Sequence, residues 1–420
     1  MHGRVQISSP CELIVLTNPL QLLKGFPSQL RLMFFGMLIS TVGSSMIWPF
    51  LMIYVRQRVE LPLTQIASLM TINATAGLIT AFIAGPITDR IGRKWVMVFG
   101  LAGNGLVYFF MSAADNYLTF AILMTLSGSL NPLYRVGADA MLADLIPAER
   151  RPDAYALMRL SNNAGISIGP MIGGFISSVS FTITFFGAGI GMLTYSLLLT
   201  FFAHETLPKN NFTFTKVRQP LGGYIQVFQD TQFLTFIGAF ILTQMCATMI
   251  WILMPVYANG VYNVPESQYG FIPTTNALMV VFLQVFVTRI TKRYRPLPVM
   301  LVGTIFYTMG VGSVAFGHSF IGFWTSIVIM TIGELILMPT SSSYVAGLAP
   351  PDMRGRYMSI AGLTWIAAAG IAPIFGGYLS DNIAPVATWY GGFAIGLIGV
   401  IGFFILSRKL PDIQPSAVAE

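Results

Sequence analysis

Charged residues are scarce in this chain. Asp, Glu, Lys and Arg make up 9% of its 420 residues, hydrophobic residues make up 55%, and the mean hydropathy is +0.71. Soluble domains carry about 25% charged residues, and so apolar a surface is poorly tolerated in water. The scarcity therefore argues against a soluble enzyme, a nucleic-acid-binding protein and a disordered chain, and it indicates a polytopic membrane protein.

The residues that build metal and catalytic centres are also few. The chain has two cysteines, Cys11 and Cys246, which lie far apart, and three scattered histidines, His2, His204 and His318. They form no disulfide or zinc spacing and no nucleophile triad. A Gly-Lys-Ser phosphate loop is absent as well. We therefore expect no metal, no cofactor and no direct use of ATP, and a polytopic membrane enzyme is disfavoured.

Long apolar runs are abundant. A membrane helix needs roughly 20 mostly apolar residues, and twelve stretches meet that length. We predict an all-α membrane protein with twelve transmembrane helices. The approximate bounds are 32–55, 66–84, 95–114, 118–143, 155–177, 181–203, 233–257, 270–287, 297–317, 319–344, 357–379 and 387–406.

The positions of the basic residues predict the orientation. When the termini and every second loop are assigned to one side, that side holds 20 of the 23 Lys and Arg residues. Arg56 and Arg58 lie on the other side, and Arg135 lies within a span. Because basic loops stay in the cytoplasm, we predict a multi-pass protein of the cytoplasmic membrane with both termini cytoplasmic. The net charge of +7 is then a topology signal, and nucleic acid is not an expected partner.

The two halves of the chain repeat each other at an offset of 203 residues. Met46–Trp48 matches Met249–Trp251, and Asn73 matches Asn276. Each half holds six spans, so the repeat is parallel, which is typical of transporters with a substrate site between the halves. We predict two pseudo-symmetric six-helix bundles. The expected divisions are a cytoplasmic tail 1–31, a first bundle 32–203, a central cytoplasmic loop 204–232, a second bundle 233–406 and a tail 407–420.

The loop after the second span combines turn glycines with an acid and several bases. It reads Gly85-Pro-Ile-Thr-Asp89-Arg90-Ile-Gly92-Arg93-Lys94. By itself it could be an ordinary basic cytoplasmic loop. The chain here resembles the major facilitator superfamily, because it matches every fixed position of the signature G-x-x-x-D-R-x-G-R-K/R. The resemblance implies a cytoplasmic gating latch in which Asp89 caps the opposite bundle. Its expected members are Gly85, Asp89, Arg90, Gly92, Arg93, Lys94 and Asp144, although Asp144 could also be a solvated loop acid.

Span five carries a second glycine-rich string. Glycines four residues apart let helices approach closely, and a proline bends a helix. Ordinary helix packing would explain the glycines alone, and the second half repeats part of the string at Pro373. The whole string resembles the antiporter motif of the family's drug/proton exchangers. Its members are Gly165, Gly169, Pro170, Gly173 and Gly174.

Three charged residues inside the spans are candidates for function, because each costs roughly 2.5–3.5 kcal/mol on insertion scales. Arg135 and Asp139 share one face of span four and could neutralise each other. Glu334 in span ten has no partner in its own helix, and the repeat relates it to Asn131, one turn from Arg135. In the family, spans one, four, seven and ten line the central cavity. Arg135 could therefore pair with Asp139 or face Glu334.

A poorly solvated carboxyl group can load and release a proton near neutral pH. We hypothesise that Glu334 is the proton-coupling acid and that Arg135 sets its charge state. Trp48 and Trp251 are placed near the outer ends of spans one and seven, where they could be interfacial anchors or an outer gate. The candidates for the substrate cavity are Asn131, Gln244, Trp48, Trp251, Asn73, Asn276, Asn162 and Trp365.

Together these features predict a secondary active transporter that works by alternating access. The leading hypothesis is proton-coupled efflux of drug-like compounds, driven by the proton gradient, as the resemblance to the twelve-span drug/proton antiporters implies. An alternative is a proton symporter or a uniporter for a nutrient such as a sugar or a peptide. The expected partners are a small-molecule substrate, protons and the lipid bilayer, and we expect a functional monomer.

Overall fold

The computed structural model describes residues 23–207, 222–350 and 353–409. Cys11, His2 and parts of both predicted tails and of the predicted central loop lie outside these ranges. Within them the chain is helical and contains no strand, so the predicted all-α fold is confirmed. Twelve long helices follow one another as α1 Ser28–Arg58, α2 Leu63–Ile91, α3 Arg93–Met111, α4 Tyr117–Leu145, α5 Arg151–Ser177, α6 Phe181–Phe202, α7 Thr231–Tyr262, α8 Glu266–Thr291, α9 Pro296–Phe316, α10 Phe320–Leu348, α11 Arg354–Asn382 and α12 Ala387–Lys409.

Each predicted span coincides with one of these helices. Ten of the helices are long and apolar enough to cross a membrane. The other two, α4 and α5, have 29 and 27 residues, so they are long enough as well. Their polar residues, among them Asn131, Arg135 and Asn162, lower their hydropathy. The two helices that are least suited to lipid thus both carry candidate site residues.

Helix contacts repeat with a shift of six helices. In the first half, α1 packs against α5 and α6, α3 packs against α4 and α6, and α2 packs against α4. The same pairs recur as α7 with α11 and α12, α9 with α10 and α12, and α8 with α10. The halves meet chiefly where α2 crosses α11 and where α5 crosses α8, and the last part of α1 also contacts α7. These two crossings are also related by the shift of six, which is the arrangement that a parallel repeat produces.

The two ends of the helix bundle differ in charge. We call the end that holds Arg93 and Arg150 the basic end; α1 also begins there, since Arg150 donates to the Gly25 carbonyl oxygen at 3.2 Å. The other end is called the opposite end. Contacts between the halves are close near the opposite end, where the backbones of Gly377 and Thr64 approach each other.

The glycines of span five face neighbouring backbones. A Cβ atom on Gly169 would lie 2.7 Å from the Val42 carbonyl oxygen, and one on Gly173 would overlap the Met46 carbonyl oxygen, both in α1. Gly174 points the other way, against the backbone at the start of α8. The string therefore lets α5 approach both a helix of its own half and a helix of the other half.

Gly173→Ala should destabilise the protein by about 1–3 kcal/mol, because the backbone of α1 cannot yield as a flexible side chain can. The thermal unfolding midpoint in detergent measures the effect. Gly238→Ala in α7 is the control, since no heavy atom lies within 4 Å of its added methyl group. Removing a helical glycine there should stabilise by about 0.5–1 kcal/mol. Equal midpoints for the two variants would contradict this account of the packing.

Candidate functional site

One face of α4 carries three polar side chains in succession. Asn131, Arg135 and Asp139 stand four residues apart, and all three are exposed. Arg135 and Asp139 are close enough to interact electrostatically. They form no ion pair, and among the described residues none joins Arg135 to Glu334 either. Charges that face lipid are costly, which favours a water-accessible cavity in front of this face.

Glu334 is held inside the second half. Its carboxylate accepts a hydrogen bond from Asn276 Nδ2 of α8 at 2.8 Å. The same amide group donates to Thr331 Oγ1 of α10 at 2.9 Å. Tyr307 of α9 is near enough to interact electrostatically with the acid. The half-buried carboxylate thus lies where α8, α9 and α10 meet, with an amide rather than a cation as its hydrogen-bond donor.

The repeat gives Asn276 a counterpart with a related contact. Asn73 of α2 donates to the Met124 carbonyl oxygen of α4 at 3.0 Å. Both asparagines therefore tie the second helix of their half to the fourth, but only Asn276 reaches an acid. Asn162 of α5 is likewise bonded between helices, since it accepts from Thr41 Oγ1 at 3.4 Å.

The remaining cavity candidates lie apart from this cluster. Gln244 is buried in α7, and its side-chain oxygen makes no hydrogen bond. Trp365 of α11 is 45% exposed. Trp48 and Trp251 lie further from the helix ends than the predicted spans indicated. Helix α1 continues ten residues past Trp48, and α7 continues eleven past Trp251, or about 15 Å at 1.5 Å per residue. The apolar runs 32–55 and 233–257 ended before the helices did, because the final turns are more polar.

The structure brings three predicted latch residues together at the basic end. Arg93 Nη2 lies 3.2 Å from Asp89 Oδ1, and Arg93 Nε lies 3.1 Å from Asp144 Oδ2. Arg93 is buried, whereas the Asp89 side chain is 68% exposed. The guanidinium group therefore joins the ends of α2 and α4 to the start of α3. All three helices belong to the first half.

Other members of the predicted latch make different contacts. Lys94 Nζ donates to the Thr200 carbonyl oxygen at 2.8 Å, whereas Arg90 is exposed. Gly92 has φ +102, a conformation that side chains rarely adopt. Gly85 has open space where a Cβ atom would stand. The glycine that the turn requires is therefore Gly92.

Glu205 is a latch residue that the sequence did not reveal. Its carboxylate accepts the backbone N–H groups of Arg93 and Lys94 at 2.9 and 3.1 Å. It thereby supplies the N-terminal cap of α3, since Gly92 has no side chain to do so. A side chain on Gly92 would also collide with this carboxylate. Glu205 lies 112 residues beyond Arg93, so no local pattern connects them.

The site contains titratable and polar side chains but no cluster suited to a resident metal ion. Across the described ranges, His, Cys, Asp and Glu side chains nowhere gather in the groups of three or more that could hold one. The Glu334 carboxylate is a group that can bind a proton or a cation. At the latch, the Arg93 guanidinium holds two carboxylates by ion pairs.

Comparisons with known proteins agree with this architecture. A family model described as Major Facilitator Superfamily matches residues 33–334 and 236–420. The chain is 25% identical over 416 residues to a Na⁺, Li⁺, K⁺/H⁺ antiporter of Planococcus maritimus, covering 92% of this chain and 95% of that one. It is 26% identical over 326 residues to the multidrug resistance protein MdtH of Cronobacter sakazakii, covering 77% and 79%.

Solved structures of transporters share the fold. The nucleoside transporter NupG aligns with a TM-score of 0.76 at 11% identity, over 91% of this chain and all of that one. A D-xylose–proton symporter aligns with a TM-score of 0.70 at 14% identity, over 92% and 98%. The protein is a multi-pass membrane transporter and not an enzyme. The predicted family is confirmed, and the chain belongs to the Major Facilitator Superfamily.

Proposed function

We propose that this secondary transporter exports small, largely apolar organic molecules in exchange for protons. The observation that carries the proposal is Glu334, a membrane-embedded acid that is bonded to Asn276 and that pairs with no Lys or Arg of the described ranges. An acid held in this way has no fixed positive charge that would keep it ionised. It is free to alternate between a neutral and a charged form during transport. The two relatives above are named for cation/proton antiport and for multidrug resistance, and these activities support an exporter over an importer.

The cavity in this proposal lies between the halves. Asn131, Arg135 and Asp139 on α4 form its polar wall, and Glu334 lies at the repeat-related helix α10. A substrate that is largely apolar would contact aliphatic and aromatic side chains and would leave these few charges to the proton. Arg135 makes no ion pair with Glu334 in this state. Its role in the cycle is to approach Glu334 in another state, stabilise the ionised carboxylate and so help it release its proton.

The basic end is placed in the cytoplasm in this proposal, with both termini on that side of the cytoplasmic membrane. The basis is the excess of Lys and Arg at that end. The protein acts as a monomer, with each half supplying one wall of the cavity. The cycle closes the cavity at one end while it opens at the other.

Glu334→Gln should abolish transport driven by a pH gradient, because the amide cannot carry a proton. Exchange of substrate at equal pH should continue, because the amide keeps the size and the bond to Asn276. The measurement is uptake and release in liposomes with an imposed pH gradient, over a panel of dyes and sugars. Glu149→Gln in an exposed loop is the matched control and should transport normally.

Two outcomes of that liposome assay would contradict the proposed function. Unchanged proton coupling in the Glu334→Gln protein would remove the assigned role of Glu334. Uptake of a sugar together with protons, with no dye expelled against them, would replace the exporter with a nutrient symporter.

A second candidate function is exchange of a monovalent cation for a proton. It is favoured by the oxygen atoms that surround the acid, since Thr331 Oγ1 and the Glu334 carboxylate share the Asn276 amide. Hydroxyl and carboxylate oxygens are ligands suited to hard cations. The Planococcus maritimus relative, a Na⁺, Li⁺, K⁺/H⁺ antiporter, also favours this function.

Thr331→Val should raise the cation concentration needed for half-maximal exchange, because it removes one oxygen beside Glu334 but keeps the side-chain shape. Liposomes that contain a pH-sensitive dye report exchange as alkalinisation of the lumen after Na⁺, Li⁺ or K⁺ is added outside. Thr325→Val on the same helix is the control, since its exposed hydroxyl bonds only within α10. No cation-dependent signal from the unmodified protein would dismiss this second function.

A further inference from the structure

Helices α2 and α11 form a pair with matching ends. They pack against each other in opposite directions, and each ends in an acid, Asp89 in α2 and Asp381 in α11. Each also begins without a cap of its own, because Pro62 and Met353 make no side-chain capping bond. The first amide groups of an uncapped helix need acceptors from elsewhere. Each helix therefore carries at its end an acceptor suited to the start of its neighbour.

At the opposite end this contact is formed. The Asp381 carboxylate accepts the backbone N–H of Leu63 at 3.0 Å and that of Thr64 at 2.7 Å. It also accepts the Thr64 hydroxyl at 2.6 Å. One turn earlier, a Cβ atom on Gly377 would lie 2.8 Å from Thr64 Cα, so the two backbones touch. An acid of the second half thus caps the first turn of a helix of the first half.

At the basic end the corresponding acid is engaged elsewhere. Asp89 pairs with Arg93 of its own half, and its side chain is 68% exposed. The start of α11 has Met353 at its N-cap position, without a side-chain bond. In this state α2 is capped by the other half at one end, while the acid at its other end is held within its own half.

The second crossing between the halves lacks this device. The repeat relates Asp381 to Ser178 at the end of α5, and the Ser178 hydroxyl bonds to the Phe175 carbonyl oxygen of its own helix. The contact between α5 and α8 is a backbone approach of Gly174 to Glu266. A charged cap across the halves is therefore a property of the α2–α11 crossing and is not imposed by the repeat.

We propose that Asp381 is a latch at the opposite end, complementary to the cap on the opposite bundle that the family resemblance implies for Asp89, and that the two latches hold in alternate states. When Asp381 caps the start of α2, it stabilises the state that is closed at the opposite end. When Asp89 caps the start of α11, it stabilises the state that is closed at the basic end. The proposal rests on the alternating-access cycle of the proposed function. The new element is Asp381, a residue that sets the ratio of the two states of that cycle.

The test measures the populations of the two states directly. Spin labels at Leu118→Cys and Phe316→Cys report the separation of the halves at the opposite end, where both side chains are exposed. Labels at Glu149→Cys and Arg293→Cys, also exposed, report the basic end. The background carries Cys11→Ala and Cys246→Ala. Pulsed electron-spin distance measurements then give the ratio of states in detergent and in lipid nanodiscs.

Asp381→Ala should shift the ratio towards the state open at the opposite end by about two- to thirtyfold, the range expected when alanine replaces a helix cap. Asp381→Asn should shift it in the same direction by less, because asparagine keeps one of the two acceptor oxygens. Asp89→Asn should shift it in the reverse direction, and the double variant should return towards the unmodified protein. Asp115→Asn is the control, since that exposed acid bonds only to its neighbour Asn116. Asp381→Glu keeps a carboxylate at this position, so it should shift the ratio less than Asp381→Ala does.

Unchanged distances at both ends in Asp381→Asn and in Asp381→Ala would overturn the proposal. A shift of the same sign in the Asp381 and Asp89 variants would overturn the reciprocal part. The readout requires neither a substrate nor a pH gradient. If Glu334 proves not to couple protons, the proposed role of Asp381 therefore still stands. If the distance measurements contradict the role of Asp381, the proposed role of Glu334 still stands.

Discussion

The free-energy cost of placing charge in a membrane determines where this molecule carries its charged side chains. Every ionisable side chain within the bilayer needs water or a polar partner, and the chain meets that demand in two ways. Arg135 and Asp139 are exposed on a common face of α4, and Glu334 is bonded to Asn276. Helices α4 and α10 are equivalent in the repeat, so the membrane charges are concentrated on one symmetry-related pair. The rest of the bundle can then be apolar.

The repeat supplies symmetry, and the side chains break it. The same five helix contacts occur in each half, and the two crossings between the halves are equivalent. Asn73 bonds a carbonyl oxygen where Asn276 bonds Glu334, and Ser178 stands where Asp381 caps α2. A symmetric frame allows two equivalent states. Asymmetric polar contacts give those states different energies.

The sequence predicted what depends on composition and local periodicity. Each of the twelve apolar runs became a helix, and the 203-residue offset corresponds to the observed shift of six helices. It also grouped Asp89, Arg93 and Asp144, because the motif and the chain order place them at one end. Partners distant in sequence were out of reach. Glu205 meets Arg93 over 112 residues, and Asp381 meets Thr64 over 317. No periodicity encodes contacts that arise only when helices pack.

The cap formed by Glu205 also bears on how the chain leaves the first half. Its carboxylate accepts the N–H groups of Thr206 and Leu207 as well as those of Arg93 and Lys94. Residues 205–207, where the chain leaves the first bundle, are therefore held by hydrogen bonds at the start of α3. A fluorescent reporter or an affinity tag spliced in before Leu207 would displace the carboxylate that holds the signature loop. An insertion after Leu207 would leave these hydrogen bonds of Glu205 in place.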